Sequence, residues 1–324
     1  MNKELTVHFQ EKVRAGVVNF TAIDGLDGAG KKTVSKIVAE TVINSGRNCL
    51  LVPYPRYDTP WGKMLRRLLT ITDEDLSLEE RMLAYALNRL ETIPLLIETA
   101  LKLTENEQKL IVVFDRYPTS NVLTWAYYQQ KLDKQDQSSV SAKTMSELYE
   151  TIWQVDSQFE RYLRVRQNCD IHVLTLETET ALAAISADGE RQDDVRLDKY
   201  EVREVQALAD RAYNYLAEQS QSGIISENIY VHKQLYAGGK RLTPNAVAAK
   251  ILQADRNQLN ETPFGRGELV DLSEKVVDIG ENMQNILTDL VLSSVGRESK
   301  LYALGQAAYD EFKIAGKRDK LLHD

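Results

Sequence analysis

A parallel α/β fold, with helices on both faces of a five-stranded sheet, is the architecture the sequence predicts, and three observations point to it. Short apolar, β-branched runs alternate with longer helical segments, as they do where a parallel sheet is covered on both sides. The first run ends in a glycine-rich turn that opens directly into a helix, Gly25-Leu26-Asp27-Gly28-Ala29-Gly30-Lys31. Beyond about residue 255 the alternation stops and the pattern is helical alone. The 324 residues therefore divide into an α/β domain over 1–254 and a C-terminal helical extension over 255–324.

The elements follow in order. VVNFTAID (17–24) reads as a buried strand. The segment after Lys31 has helical spacing at Val34, Ile37, Val38 and Val42, and Gly46 suits its C-terminal cap. CLLVPYP from Cys49 is a second strand, stopped by Pro53 and Pro55; LIVVFD from Leu110 is a third, ending in an aspartate. DIHVLTL from Asp170 and NIYVH from Asn228 complete the five. Two long helical stretches lie between them, LSLEERMLAYALNRLETIPLLIETALKL from Leu76 and KYEVREVQALADRAYNYLAEQ from Lys199. Residues 129–144 are polar and read as a surface connection. In the extension, Val270, Leu272, Val276, Val277, Ile279, Met283, Ile286, Leu287, Leu290 and Val291 fit one amphipathic face. That face is expected to pack on its own domain or on the second copy of a homodimer.

Bulk composition narrows the function. With 43% hydrophobic and 27% charged residues the chain is an ordinary globular one, and a net charge of −8 argues against a general nucleic-acid-binding surface. The expected partner is a small phosphorylated molecule. Cys49 and Cys169 lie in no CxxC pair and read as two buried thiols, without support for a disulfide or zinc site. The first residues lack an apolar signal core, and no apolar run approaches the ~20 residues that span a bilayer, so no membrane association and a cytoplasmic compartment are expected.

The glycines at 25, 28 and 30 let backbone N–H groups turn inward at a polyphosphate, the following helix adds its positive end, and Lys31 can reach the terminal phosphates. This makes Gly25, Gly28, Ala29, Gly30, Lys31, Lys32 and Thr33 the candidate ATP-binding set. Lys32 stands where the common pattern has a magnesium-holding hydroxyl, and Thr33 follows one place later. Asp115, at a strand end, is the candidate to hold Mg2+ through water, or it simply caps a turn. Arg116 suits bidentate contact with phosphate oxygens; the alternative is a surface ion pair. Asp133-Lys134-Gln135-Asp136 only approximates a guanine-reading NKxD pattern and follows no strand.

Five motifs in order, FTAIDGLDGAGKKT, YPRYDTPWGK, LAYALNR, DRYPTS and LDKYE, resemble the thymidylate kinases, over about residues 17–252. The resemblance implies a P-loop kinase fold, ATP and Mg2+ as donor and cofactor, and transfer of the γ-phosphate of ATP to dTMP. It further implies that Asp27 contacts the sugar 3′-hydroxyl, Arg56 holds the acceptor phosphate, Tyr85 stacks on the base and Arg89 bonds the base carbonyl. Arg116 would bridge both phosphates, Ser120 would meet the polar edge of the base, and Tyr200 would pack beside the deoxyribose, next to Glu201. On residue type alone Tyr85 also suits the core and Arg89 an ion pair with a carboxylate. A polar, charged stretch at about 186–198 suits a lid over ATP, and the family places a catalytic arginine in the loop or in the lid. Here the loop carries none, so Arg191 and Arg196 are the lid candidates, a solvated charge run being the alternative. The resemblance also leaves open another pyrimidine monophosphate as acceptor, or a nucleotide-binding protein impaired by Lys32.

Overall fold

A computed structural model describes residues 2–70, 76–105, 108–135, 144–177, 179, 180, 183, 201–234, 241–254, 266–277 and 281–323. One sheet organises them. Its strands are β1 (Val18–Gly25), β2 (Asn48–Pro53), β3 (Leu110–Asp115), β4 (Cys169–Thr175), β5 (Asn228–Lys233) and β6 (Leu269–Asp271), in the order β5-β4-β1-β3-β2-β6. Every pairing is parallel. The five strands read from sequence are all present, and β1, β3 and β4 are buried almost throughout, which is why their sequences are continuous apolar runs.

The sixth strand corrects the reading of a five-stranded sheet. β6 is three residues long and sits in a segment whose apolar spacing also fits a helix; only its pairing with Cys49–Leu51 of β2 makes it a strand. The helical face expected in the extension is corrected with it. Val270 lies in β6, Val276 is 86% exposed and Ile279 lies outside the described residues. Leu272, Val277, Met283, Leu287 and Val291 are buried as expected.

Helices cover both faces: α1 (Lys3–Arg14), α2 (Lys31–Asn44), α3 (Pro60–Thr70), α4 (Leu78–Glu91), α5 (Ile93–Leu103), α6 (Asn121–Gln135), α7 (Met145–Val155), α8 (Ser157–Leu163), α9 (Arg203–Gln221), α10 (Pro244–Ala254), α11 (Glu281–Val295) and α12 (Lys300–His323). The stretch read as one long helix from Leu76 is two, parted at Thr92, with Pro94 in the first turn of α5, where its missing N–H costs nothing. α1 is an addition. Asn2 caps it through Glu4 N (3.0 Å), and Phe9 and Val13 face the core, Phe9 meeting Phe20 edge-on at 6.4 Å.

The register places the site. Ile23 of β1 lies beside Asp115 of β3, and Pro53 of β2 on the other side of Asp115, so the three strands end level with one another. Chain order runs from β1 outward to β2 and returns to β3 beside β1, before β4 crosses to the opposite side. Ligands of such sheets sit beyond the carboxyl ends at that reversal.

The extension packs on its own domain. α12 lies against α3, where a Cβ on Gly305 would stand 2.5 Å from the Trp61 ring; Tyr309 meets Trp61 edge-on at 6.5 Å and Arg67 pairs with Glu311 at 2.7 Å. Beneath this seam the buried Glu91 carboxylate accepts from Trp61 N (3.1 Å) and faces the Tyr309 hydroxyl (3.4 Å). Burial pushes the Glu91 carboxyl up to about 8, against the hydrogen bonds that favour its charge. Its folded value exceeds the ordinary 4.5, so its stabilising contribution is complete below 4.5 and lost as pH rises through about 8. Glu227, also raised by burial to about 8, acts in the same direction. The melting temperature is expected to fall from pH 5 to pH 8.5, less steeply in Glu91→Gln; equal slopes in the two proteins would remove Glu91 as a cause.

Candidate functional site

The glycine loop is built by close approach. Gly25 has φ 121°, and a Cβ there would lie 2.1 Å from the Leu174 carbonyl of β4, so no other residue fits. Gly30, at φ 81°, ends the loop as the first cap of α2. Four loop carbonyls are taken by donors. The buried Lys31 ammonium donates to Gly25 O (3.0 Å) and Leu26 O (2.6 Å), Arg241 to Gly28 O (3.0 Å) and Gln234 to Ala29 O (2.5 Å). Lys31 is thus folded into the loop itself. Arg241 and Gln234 were not foreseen, because each meets the loop from more than 200 residues away in sequence.

Asp27 is the electrostatic centre. One oxygen, Oδ1, accepts from Arg116 at 2.6 Å and from Lys31 at 3.2 Å. Burial would push its carboxyl up, but these two cations hold it well below the usual carboxylate range. Burial, with Arg116 close by, lowers the Lys31 ammonium in turn. Arg116 takes φ 75°, a conformation non-glycine residues seldom adopt, and its own N–H is tied to Ile23 O at 2.9 Å. The turn after β3 therefore aims the guanidinium back across the end of β1.

Asp24 holds this turn to the loop. Fully buried, it accepts from Gly25 N (2.8 Å), Thr119 Oγ1 (2.5 Å), Ser120 Oγ (2.6 Å) and Tyr213 OH (3.2 Å). Sequence reading passed over it, since three of those donors come from distant segments.

Asp27, Arg116, Tyr85, Arg89 and Ser120, five of the residues expected at the acceptor, line one cavity. Tyr54, Pro55 and Tyr57 form another wall, and Asn88, Asn121 and Thr124 add polar groups that sequence reading did not single out. Tyr85 is half-buried there. Arg89 lines the cavity and also makes the ion pair that was its alternative reading, a two-pronged one with buried Asp156 at 2.9 and 2.7 Å. The Ser120 hydroxyl lines the cavity with its proton already given to Asp24, so toward a ligand it can only accept.

Arg56 is placed apart from these five. Its guanidinium donates to Asp58 (2.8 and 2.5 Å), to Lys275 O (2.7 Å) and to Leu272 O, and it does not line the cavity. Its neighbour Tyr57 does. Tyr200 and the lid residues Arg191 and Arg196 lie outside the described residues, whereas Glu201 is buried.

Asp115 is half-buried at the end of β3; burial raises its carboxyl, opposed by Arg116, Lys31 and the exposed Lys32. Lys32 therefore stands within electrostatic reach of Asp115. Among the described residues no group of three His, Cys, Asp or Glu side chains could cage a metal ion. Among the described carboxylates around the loop, Asp24 and Asp27 are engaged by the donors given above, and Asp115 stands at the strand end beside them. That donor set fits Mg2+ held mainly by substrate phosphates. No helix among the described residues is long and apolar enough to cross a membrane.

The family model for thymidylate kinase matches residues 23–147, a range that holds the loop, the Tyr54–Tyr57 turn, α4 and the DRYPTS turn. A probable thymidylate kinase of Thermococcus kodakarensis is 36% identical over 115 residues, covering 33% of this chain and 53% of that protein. A thymidylate kinase of Halothermothrix orenii is 28% identical over 108 residues, covering 33% and 49%. The chain thus spans about half the length of the curated relatives it matches. A solved thymidylate kinase structure from Candida albicans aligns with TM-score 0.47 at 19% identity, over 75% of this chain and 96% of that one. The matched range is shorter than the 17–252 over which the motifs were read, and LDKYE falls beyond it. Over residues 23–147 the chain is thus similar to the thymidylate kinases.

Proposed function

We propose that the protein transfers the γ-phosphoryl group of ATP to dTMP, giving dTDP and ADP. The observation that carries this is the single cavity that joins Asp27 of the glycine loop to Arg116, Arg89 and Tyr85. A donor phosphate in the loop and an acceptor in the cavity would meet at Arg116.

The chemistry asks the protein for position and charge rather than for a covalent step. The acceptor phosphate would be met by Arg116 and the Tyr57 hydroxyl, its sugar by Asp27, and its base by the Tyr85 ring and Arg89, with Asn121 and Thr124 nearby. Lys31, released from the loop carbonyls when phosphate oxygens replace them, would follow the charge of the transferring group. Asp115 would orient the water shell of Mg2+, which would supply positive charge at the donor phosphates. The lid is part of the same proposal. Arg191→Ala and Arg196→Ala are each expected to lower kcat about a hundredfold or more. Unchanged turnover in both would remove the lid arginines from the mechanism.

A coupled ADP-release assay across dTMP, dUMP, dCMP, dGMP and AMP tests the whole. The expected result is the highest kcat/KM for dTMP. A preference for another pyrimidine monophosphate would keep the kinase and change its acceptor, and no turnover with any would leave a nucleotide-binding protein.

A further inference from the structure

The C-terminal extension touches the elements that carry the cavity wall at two places. The first is Arg56. Nε and Nη2 pair with the Asp58 carboxylate, Nη2 also reaches Lys275 O at 2.7 Å, and Nη1 donates to Leu272 O. These bonds engage four of the five guanidinium N–H groups, in a side chain only 3% exposed. The Arg56 backbone is held just as firmly from the other side: its N–H donates to Asn88 Oδ1 and its carbonyl accepts from Asn88 Nδ2, both at 2.9 Å. Asn88 itself lines the cavity. The turn that carries Tyr54, Pro55 and Tyr57 is therefore stretched between α4 and the extension, with Arg56 as the tie.

The second place is α3. Leu69 of α3 lines the cavity, and the same helix bears α12 through Trp61 against Gly305 and through Arg67 with Glu311. The start of α3 is also fitted closely to the turn, since a Cβ on Gly62 would overlap the Arg56 carbonyl at 1.6 Å. Movement of α12 would thus be passed to the turn through a contact that has no slack.

We infer that the C-terminal extension is a working part of the acceptor site, and that Arg56 is the positioning residue through which its Leu272–Lys275 strap fixes the Tyr54–Tyr57 wall. The inference rests on the acceptor reading above. It assigns to residues 266–323, which lie outside the matched family range, an effect on acceptor binding and not on ATP.

Three full-length variants test it, each checked for a cooperative melt. Wild-type turnover with the monophosphate panel comes first, so that failure of the acceptor reading is seen on its own; the variants are then assayed with whichever monophosphate the wild type uses. Gly305→Ala, which lies outside the cavity lining and wedges Trp61, is expected to raise acceptor KM about fivefold, with ATP KM and kcat within twofold. Arg56→Lys keeps the charge without the fork, and is expected to raise acceptor KM about tenfold. Asp58→Asn decides the sign. If Arg56 positions the wall, loosening it raises acceptor KM; if Arg56 were instead withheld from the acceptor phosphate, freeing it would lower acceptor KM, and the inference would fall. Unchanged acceptor KM in Gly305→Ala and Asp58→Asn, with only the melting temperature reduced, would make the extension a structural brace and overturn it as well. Should Arg56→Lys not fold, hydrogen exchange in the wild type replaces it. Acceptor binding is expected to slow exchange over residues 269–275, and unaltered exchange there counts against the inference.

Discussion

Replacing Arg116 by alanine is expected to lower kcat about a thousandfold while the protein keeps its fold. The guanidinium stands between the glycine loop and the cavity, and is 29% exposed, so its loss opens no void in the core. Alanine is no more comfortable than arginine at φ 75°, so backbone strain is unchanged. What disappears is the charge between donor and acceptor, together with one of the two cations that keep Asp27 ionised. Burial then acts on Asp27 with Lys31 alone against it, and its carboxyl rises toward the ordinary range. Arg116→Lys should retain part of the turnover, because an ammonium supplies charge without the planar fork. A loss below tenfold in Arg116→Ala, measured under saturating substrates, would mean that the transferring group is stabilised elsewhere.

The largest stability effect is expected from Asp156→Ala. The Arg89 guanidinium is 4% exposed and its carboxylate partner 0%, so removing the acid strands a buried cation; the cost is about 3–5 kcal/mol. Asn121 Nδ2 loses its 3.4 Å contact with the same carboxylate. The double variant Arg89→Met/Asp156→Leu should recover most of that loss in urea denaturation, since two apolar side chains replace two desolvated charges. It should not recover acceptor binding, because the group expected to meet the base carbonyl is gone. Full recovery of both would show that Arg89 serves the core alone.

Much of this molecule is legible in its sequence, and the boundary is physical. Strands β1 to β4 announce themselves because parallel strands buried on both faces are apolar along most of their length. The loop is legible because its glycines are demanded by local backbone geometry, as the positive φ of Gly25, Gly28 and Gly30 illustrates. Asp27, Tyr85, Arg89, Arg116 and Ser120 come together as expected, since each sits at a strand end or on the helix face above it. What stayed hidden depends on distant partners. Asp24 matters through Thr119 and Tyr213, separated from it by 95 and 189 residues. Arg56 was given a phosphate because its chemistry suits one, yet a carbonyl 216 residues away holds it. β6 is too short to carry a periodic pattern, and α1 offered only the spacing of Leu5, Phe9 and Val13 with a capping asparagine.

The place of β6 at the sheet edge bears on when the protein becomes complete. Glu268 N bonds to Asn48 Oδ1 across 220 residues, so this edge closes the longest loop in the sheet. Contacts so far apart form late, both in refolding and during synthesis, when early segments emerge and collapse first. The glycine loop and the central strands can assemble from local and intermediate contacts. The strap on Arg56 cannot, because its carbonyls arrive with the segment that carries β6. A newly made chain would therefore hold a formed glycine loop beside an unfinished cavity wall, and, on the proposed function, competence for the acceptor would lag behind competence for ATP.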